Sequence, residues 1–150
     1  MYQVKITRGL SENPDAVCIR TEVFVNEQHF VNEFDEIDEQ ALHFVLYDGA
    51  LPIATGRTYP KESDVKTYIL GRVAVIKDYR KHKLGSYLMR QMEEKAKELG
   101  AHTIELSAQV QAKPFYESLG YEGFGLPYAD EGCPHIAMKK TLENINHQDC

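Results

Sequence analysis

Two groups of residues in this chain combine types and spacings that can do chemistry. The first is the run Val73-Ala74-Val75-Ile76-Lys77-Asp78-Tyr79-Arg80-Lys81-His82-Lys83-Leu84-Gly85-Ser86, a β-prone stretch, a short basic loop and the opening of a helix. A helix N-terminus leaves backbone N–H groups unpaired and carries partial positive charge, which suits a phosphate or pyrophosphate. Gly85 would let a phosphate approach the backbone closely. Lys77, Arg80, Lys81, His82 and Lys83 place basic side chains around that point. The same residues also fit a solvated basic loop ahead of an ordinary helix. The second group holds carboxylates, histidines and arginines. Glu27, Glu33, Asp35 and Asp38 form an acidic cluster that could bind a cation, and their mutual repulsion could raise one pKa. His43 and His135 could each be a base or a satisfied structural imidazole. Arg57 and Arg72 could clamp a carboxylate or phosphate, or pair with the acidic cluster.

The composition restricts what these groups can serve. The chain has 150 residues, 43% hydrophobic and 27% charged, which suits one globular domain without structural disulfides or metals. The net charge of -6 argues against a nucleic-acid-binding surface, but not against one anionic ligand at a local basic cluster. No apolar run reaches the roughly 18 residues of a membrane-spanning helix, so a membrane role is not expected. The N-terminus alternates polar and apolar residues and lacks the apolar block of a signal peptide. Cys18, Cys133 and Cys150 are widely spaced and odd in number, which points to a reducing cytoplasm. The six histidines show no metal-ligand spacing, so no metal is expected. Cys133 and His135 share one face of a strand with no third group beside them, which makes a nucleophilic Cys133 a weak reading.

The elements that must position these residues follow from periodicity. Residues 2–8 alternate as a first strand, and Pro14 opens a helix running to about Gln28 with Val17, Ile19, Val23 and Phe24 on its apolar side. The acidic stretch from Glu33 to Glu39 is too polar for a core element. His43–Tyr47 and Ile53–Tyr59 are strands joined by an Asp48-Gly49 turn, and Tyr68–Ile76 is a third strand after another loop. Leu84, Leu88, Met92, Ala96 and Leu99 form the stripe of a long helix stopped by Gly100. Thr103–Ala108 is a strand, Pro114–Leu119 a short helix, and Tyr121–Phe124 and His135–Met138 are closing strands. This β-α-β-β-β-α-β-α-β-β order predicts a mixed α/β fold with helices flanking a mixed sheet. One domain over residues 1–142 is expected, with 143–150 a polar tail. Edge strands near the C-terminus are compatible with a homodimer.

At the basic loop the chain resembles the GNAT superfamily of N-acetyltransferases. That family carries Arg/Gln-x-x-Gly-x-Gly/Ala after a Val-rich strand; here Arg80 matches the first position and Gly85 the last. Lys83 stands where the family has its first glycine. If that position needs a positive φ, lysine there costs on the order of 1 kcal/mol. Further on, Gln109, Ala112 and Phe115-Tyr116-Glu117-Ser118-Leu119-Gly120-Tyr121 match a second family motif in spacing, with Gln109 in place of Asn. The resemblance spans roughly residues 2–142. Arg20 to Gln28, the acidic run ending at Asp38, His43, Gly71 to Val75 and Glu131-Gly132-Cys133-Pro134-His135 resemble one subgroup, the ElaA-like acetyltransferases, which have an aliphatic residue in place of Cys133.

The resemblance implies a mostly antiparallel GNAT-type sheet with two parallel strands that splay apart, ending near Ile76 and Ala108. It implies that acetyl-CoA is the cosubstrate. Backbone groups of Val73, Ala74 and Val75 would pair with the pantetheine arm, and Arg80, Lys81, His82, Lys83, Leu84, Gly85 and Ser86 would hold the pyrophosphate. Gln109 and Phe115 would line the CoA arm, and Tyr116 would protonate the leaving thiolate. A protonated amine cannot attack a thioester, so the reaction also needs a base; the candidates are Glu33, Asp38 and His135. Glu27, Asp35, His43, Arg57 and Arg72 are candidates for the acceptor side. The resulting expectation is an acetyl-CoA-dependent N-acetyltransferase acting on a small primary amine. The alternative is a non-catalytic acyl-CoA sensor or an interaction domain.

Overall fold

A computed structural model describes residues 2–80, 83–130 and 132–142. The expected element order is present. Seven strands form a mostly antiparallel sheet in the order β1-β2-β3-β4-β5-β7-β6, with helices flanking it. The strands are β1 (Tyr2–Arg8), β2 (Leu42–Asp48), β3 (Leu51–Lys61), β4 (Asp64–Val75), β5 (Thr103–Gln109), β6 (Glu122–Asp130) and β7 (Cys133–Thr141). The α-helices are α1 (Pro14–Arg20), α2 (Leu84–Glu98) and α3 (Lys113–Ser118). By contacts the chain divides into two compact units, residues 1–59 with 70–92 and residues 60–69 with 93–150.

In the first unit, β1 pairs antiparallel with β2 from Tyr2↔Asp48 to Arg8↔Leu42, and β2 pairs antiparallel with β3. Gly49 takes a φ of 61° in the tight connection between β2 and β3, where an L-residue would be strained. Asn13 caps α1 through its side chain, and Pro14 fills a first-turn position whose N–H has no partner to lose. The helix expected to reach Gln28 does so, but from Thr21 to Glu27 it winds as a π-helix. Its wider turn is closed by the Gln28 N–H donating to the Val23 carbonyl at 3.0 Å. His29, at a φ of 66°, ends it. Ala16, Ile19, Val23 and Phe24 pack on Val45 and Ala74.

In the second unit, β4 and β5 form the expected parallel pair over Thr67↔Thr103, Tyr68↔Ile104 and Ile69↔Glu105. β5 and β6 each pair antiparallel with β7. Both closing strands are longer than the sequence pattern indicates. Ile104, Leu106, Ala108, Ile136 and Met138 fill the buried face. The Ala101 N–H donates to the Ala96 carbonyl at 2.9 Å while Gly100 sits at a φ of 106°, a C-cap that stops α2 where Gly100 predicts. The expected stripe of α2 is corrected at one end: Met89 is buried, whereas Leu99 is 45% exposed. The Tyr121 hydroxyl donates to Glu93 at 2.7 Å, and Lys140 holds the other oxygen of the same carboxylate at 2.9 Å. Burial and the adjacent Glu93 charge push the Tyr121 phenol far up, so it stays a donor.

Candidate active site

The basic loop runs from the end of β4 through a 3-10 turn, Lys77–Tyr79, to the start of α2. Ala74 is buried in the core while Val73 and Val75 are half-buried, and Leu84 anchors the helix start from the inside. Gly85 and Ser86 lie in the first turn of α2 and are half-buried. Lys83 accepts the first helical hydrogen bond, from the Tyr87 N–H at 3.2 Å, and has a φ of 59°. The left-handed conformation that would favour glycine is therefore present, and lysine occupies it. Lys81 and His82 lie outside the described residues.

Arg80 is engaged within the first unit. Its guanidinium makes two hydrogen bonds to Glu27, at 2.6 and 2.7 Å, and its Nε donates to the Val75 carbonyl at 2.8 Å. This contact holds the Glu27 carboxyl below its usual range and raises Arg80. Glu27 thus stands beside the basic loop, apart from the other carboxylates.

The remaining acidic residues converge on three arginines. Arg20, 1% exposed, donates from Nε to Glu33 at 2.8 Å and from its two terminal nitrogens to Asp38 at 2.7 and 3.1 Å. Arg57 bonds Asp35 at 2.7 and 3.1 Å and Asp38 at 2.8 Å. Arg72, at a φ of 53°, pairs with Glu33 at 3.0 Å and Asp35 at 3.4 Å. The stretch expected to be too polar for the core therefore contributes buried groups, because Glu33 and Asp38 enter it as ion-pair partners. Three carboxylates face three guanidiniums, so the cluster presents no net formal charge to a cationic amine.

The protonation of these carboxylates follows from their surroundings. Burial opposes ionisation of Asp38, but Arg20, the Asp35 N–H and Arg57 outweigh it and bring the carboxyl down to about 2. At Glu33 burial wins over the arginines and raises the carboxyl. At Asp35 burial is overcome by Arg57, and the carboxyl is lowered. An Asp38 this acidic, with both oxygens occupied, is suited to holding the loop and poorly suited to taking a proton near neutrality. His43 is buried and lies opposite Arg57 across β2 and β3. Its Nε2 lies 2.9 Å from the Asp38 carbonyl and must donate to it; burial lowers its pKa, so the ring is neutral. The sequence reading missed Arg20 as the centre of this network. The available signal was a charged residue within an otherwise apolar helical stripe, next to Ile19 and three before Val23.

In the second unit, Phe115 and Tyr116 lie on α3, ring edge to face at 5.0 Å, and Tyr116 meets Tyr121 at 6.0 Å. Among the described residues nothing hydrogen-bonds the Tyr116 hydroxyl, and burial raises its phenol to about 12. Gln109 ends β5 and accepts a hydrogen bond from Gln111 at 2.6 Å. His135, on β7, is 7% exposed, and its Nδ1 lies 2.8 Å from the Cys133 carbonyl. It is the main chain of Cys133, not its thiol, that meets this imidazole. The Tyr128 ring stacks on His135, and its hydroxyl is hydrogen-bonded to Ser107; the sequence reading missed both residues. Among the described residues no cluster of His, Cys, Asp and Glu could hold a metal ion, and no helix is long and apolar enough to cross a membrane.

The family model of the acetyltransferase (GNAT) domain matches residues 11–142. The chain belongs to the GNAT acetyltransferase family. It is 36% identical to the uncharacterized N-acetyltransferase YjcF of Bacillus subtilis over 138 residues, 90% of this chain and 96% of that one. Among solved structures it resembles a Lactobacillus plantarum protein with a TM-score of 0.86 at 32% identity, covering 95% of this chain and 99% of that one. It also resembles Escherichia coli ElaA, with a TM-score of 0.83 at 25% identity over 93% and 99% of the two chains. As a GNAT domain the protein is an acyltransferase, and the ElaA likeness agrees with the subgroup that the sequence resembles.

Two predictions follow from the ion-pair network. Arg20→Leu leaves Glu33 and Asp38 buried without their main counter-ion, which costs about 3 kcal/mol or more and lowers Tm by roughly 6 to 12 °C in thermal unfolding. A depressed carboxyl contributes stability above its unfolded-state pKa that is lost as pH falls through the folded-state value. Asp38 therefore supplies roughly 2 kcal/mol at neutral pH that disappears between about pH 4 and pH 2. Glu33, raised by burial, acts with the opposite sign. Urea midpoints measured at pH 7, 4 and 2 should show a net fall across the lower interval; a constant midpoint would remove Asp38 from this role.

Proposed function

We propose that the protein is an acetyl-CoA-dependent N-acetyltransferase that acetylates a primary amine of a small molecule by direct attack on the thioester. The observation that carries this reading is the left-handed Lys83 at the start of α2, in the position where the GNAT phosphate loop has a glycine. Lys83 holds this left-handed conformation despite a strain on the order of 1 kcal/mol. Lys83 and the first-turn N–H groups of Leu84, Gly85 and Ser86 supply donors and positive charge for a pyrophosphate. Arg80, Lys81 and His82 would add to that charge. Backbone groups of Val73, Ala74 and Val75 would pair with the pantetheine arm as an added strand does. Gln109 and Phe115 would flank it.

The chemistry assigned to Tyr116 is that of a general acid. The amine nitrogen bonds to the acetyl carbonyl carbon, the C–S bond breaks, and the departing thiolate takes the phenolic proton. A phenol held near 12 stays protonated at neutral pH, so it meets the departing sulfur as a donor. A non-catalytic acyl-CoA sensor would have no use for a hydroxyl that no described residue hydrogen-bonds.

Calorimetric titration with acetyl-CoA, free CoA and ATP tests the donor assignment. Acetyl-CoA and CoA should bind and ATP should not. Tyr116→Phe should keep the acetyl-CoA affinity and reduce kcat by about 100-fold, the usual scale of one proton-transfer contribution; an unchanged kcat would return Tyr116 to a packing role. Glu27→Gln removes the carboxylate that competes for Arg80 and should tighten CoA binding several-fold at low salt, an effect that fades as salt is added. Weaker binding would show that Glu27 instead positions Arg80.

A further inference from the structure

The registers of β5, β6 and β7 bring together three side chains far apart in sequence. His135 lies opposite Gln109 on β5 and opposite Tyr128 on β6. Residues directly opposite across a ladder share a face, and so do residues two apart on one strand. His135, Tyr128, Gln109 and Ser107 therefore occupy one face of this half of the sheet, while Leu106, Ala108, Ile136 and Met138 fill the other. On the shared face the Tyr128 ring covers the imidazole, with centroids 6.2 Å apart and planes at 26°. The Tyr128 hydroxyl and the Ser107 hydroxyl are hydrogen-bonded, and both residues are exposed.

The hydrogen bonds also fix the imidazole's tautomer. A carbonyl oxygen can only accept, so the contact between Nδ1 and the Cys133 carbonyl places the proton on Nδ1. In the neutral ring Nε2 then carries the lone pair. Among the described residues the ring's one hydrogen bond is that of Nδ1, and His135 is more than nine-tenths buried. The result is an imidazole oriented through Nδ1, beside two linked hydroxyls that can each donate and accept.

We propose that Ser107, Tyr128 and His135 form the acceptor-amine subsite, with Nε2 of His135 as the general base and Tyr128 as a positioning residue held by Ser107. This rests on the N-acetyltransferase reading and adds the group that prepares the acceptor. The subsite takes a primary amine. One N–H proton of the ammonium passes to Nε2, and the freed lone pair forms the C–N bond. As the C–S bond breaks, sulfur is protonated by Tyr116. The second nitrogen proton, lost as the amide forms, reprotonates Tyr116 through solvent, and imidazolium returns its proton to water. One proton is released per turnover. Asp38 and Glu33 have no part in this, because their carboxylates are committed to arginines.

The charged and titratable groups on the strands packed against His135 are Tyr128, Asp130 and Glu122 on β6 and Glu105 on β5, the last paired with Lys61 at 3.0 Å. On its own strand they are Cys133, Lys139 and Lys140, the last paired with Glu93 at 2.9 Å.

The test uses the full chain and its variants His135→Asn, Tyr128→Phe and Ser107→Ala. Asparagine can keep the bond to the Cys133 carbonyl while removing the base. CoA release from acetyl-CoA is followed with phenethylamine, butylamine and glucosamine as probe acceptors, across pH 6 to 10. All variants should bind acetyl-CoA as wild type does. His135→Asn should lose about 100-fold in kcat at pH 7, with the deficit shrinking towards pH 10 as the free amine becomes abundant. Tyr128→Phe and Ser107→Ala should mainly raise KM for the amine. In parallel, 15N NMR of wild type should show His135 protonated on Nδ1 only, with its Nε2 signal shifting when phenethylamine is added to the CoA-bound protein.

A His135→Asn enzyme with wild-type kcat and pH profile overturns the proposal. So does the absence of both turnover and an Nε2 shift with every probe. Failure of wild type to bind acetyl-CoA is a separate result, which overturns the donor reading itself.

Discussion

The first unit depends on one buried charge. Arg20 is placed by α1 among apolar neighbours, at 1% exposure, where an unpaired guanidinium would cost several kcal/mol. The chain meets that demand with residues 33–38. Glu33 and Asp38 turn inward, and the Glu33 carbonyl also accepts from Arg20 at 2.8 Å. A segment without an apolar face is thereby fixed by charge and hydrogen bonds. Arg57 and Arg72 share with Arg20 the same carboxylate oxygens, Oδ1 of Asp38 and Oε2 of Glu33, so β3, β4 and the loop are linked through one set of ions. Partial removal would be worse than whole replacement, because each ion is compensated only by the others.

This arrangement separates the acidic residues by task. Asp38 is too acidic and too fully engaged to move a proton, and the cluster's formal charges cancel. Glu27, which looks in sequence like part of the same acidic group, belongs to the basic loop through Arg80. The cluster therefore offers no net negative charge to a ligand.

The basic loop shows a different compromise. Lys83 holds a conformation that glycine would adopt without strain. In exchange, a positive side chain stands at the N-terminus of α2, where it reinforces the helix dipole toward an anion. Arg80, folded onto Glu27, keeps a second cation beside that point.

Much of this was legible in the sequence. Helical and strand periodicities placed nearly every element, since period 3.6 and period 2 are local properties of the chain. The family motif located the loop, and its missing glycine marked Lys83 as the place to expect a strained φ. The fate of the carboxylates was not legible: whether Glu33 and Asp38 are solvated or buried depends on Arg20, Arg57 and Arg72, which come from three different elements. The partners of His135 were not legible either. Alternation says which face a strand residue takes, but only the registers of β5, β6 and β7 set Tyr128 over the imidazole and Ser107 against the phenol. Residue type and periodicity are written along the chain; the pairing of ions and the neighbours across a sheet are decided by which distant segments the fold brings side by side.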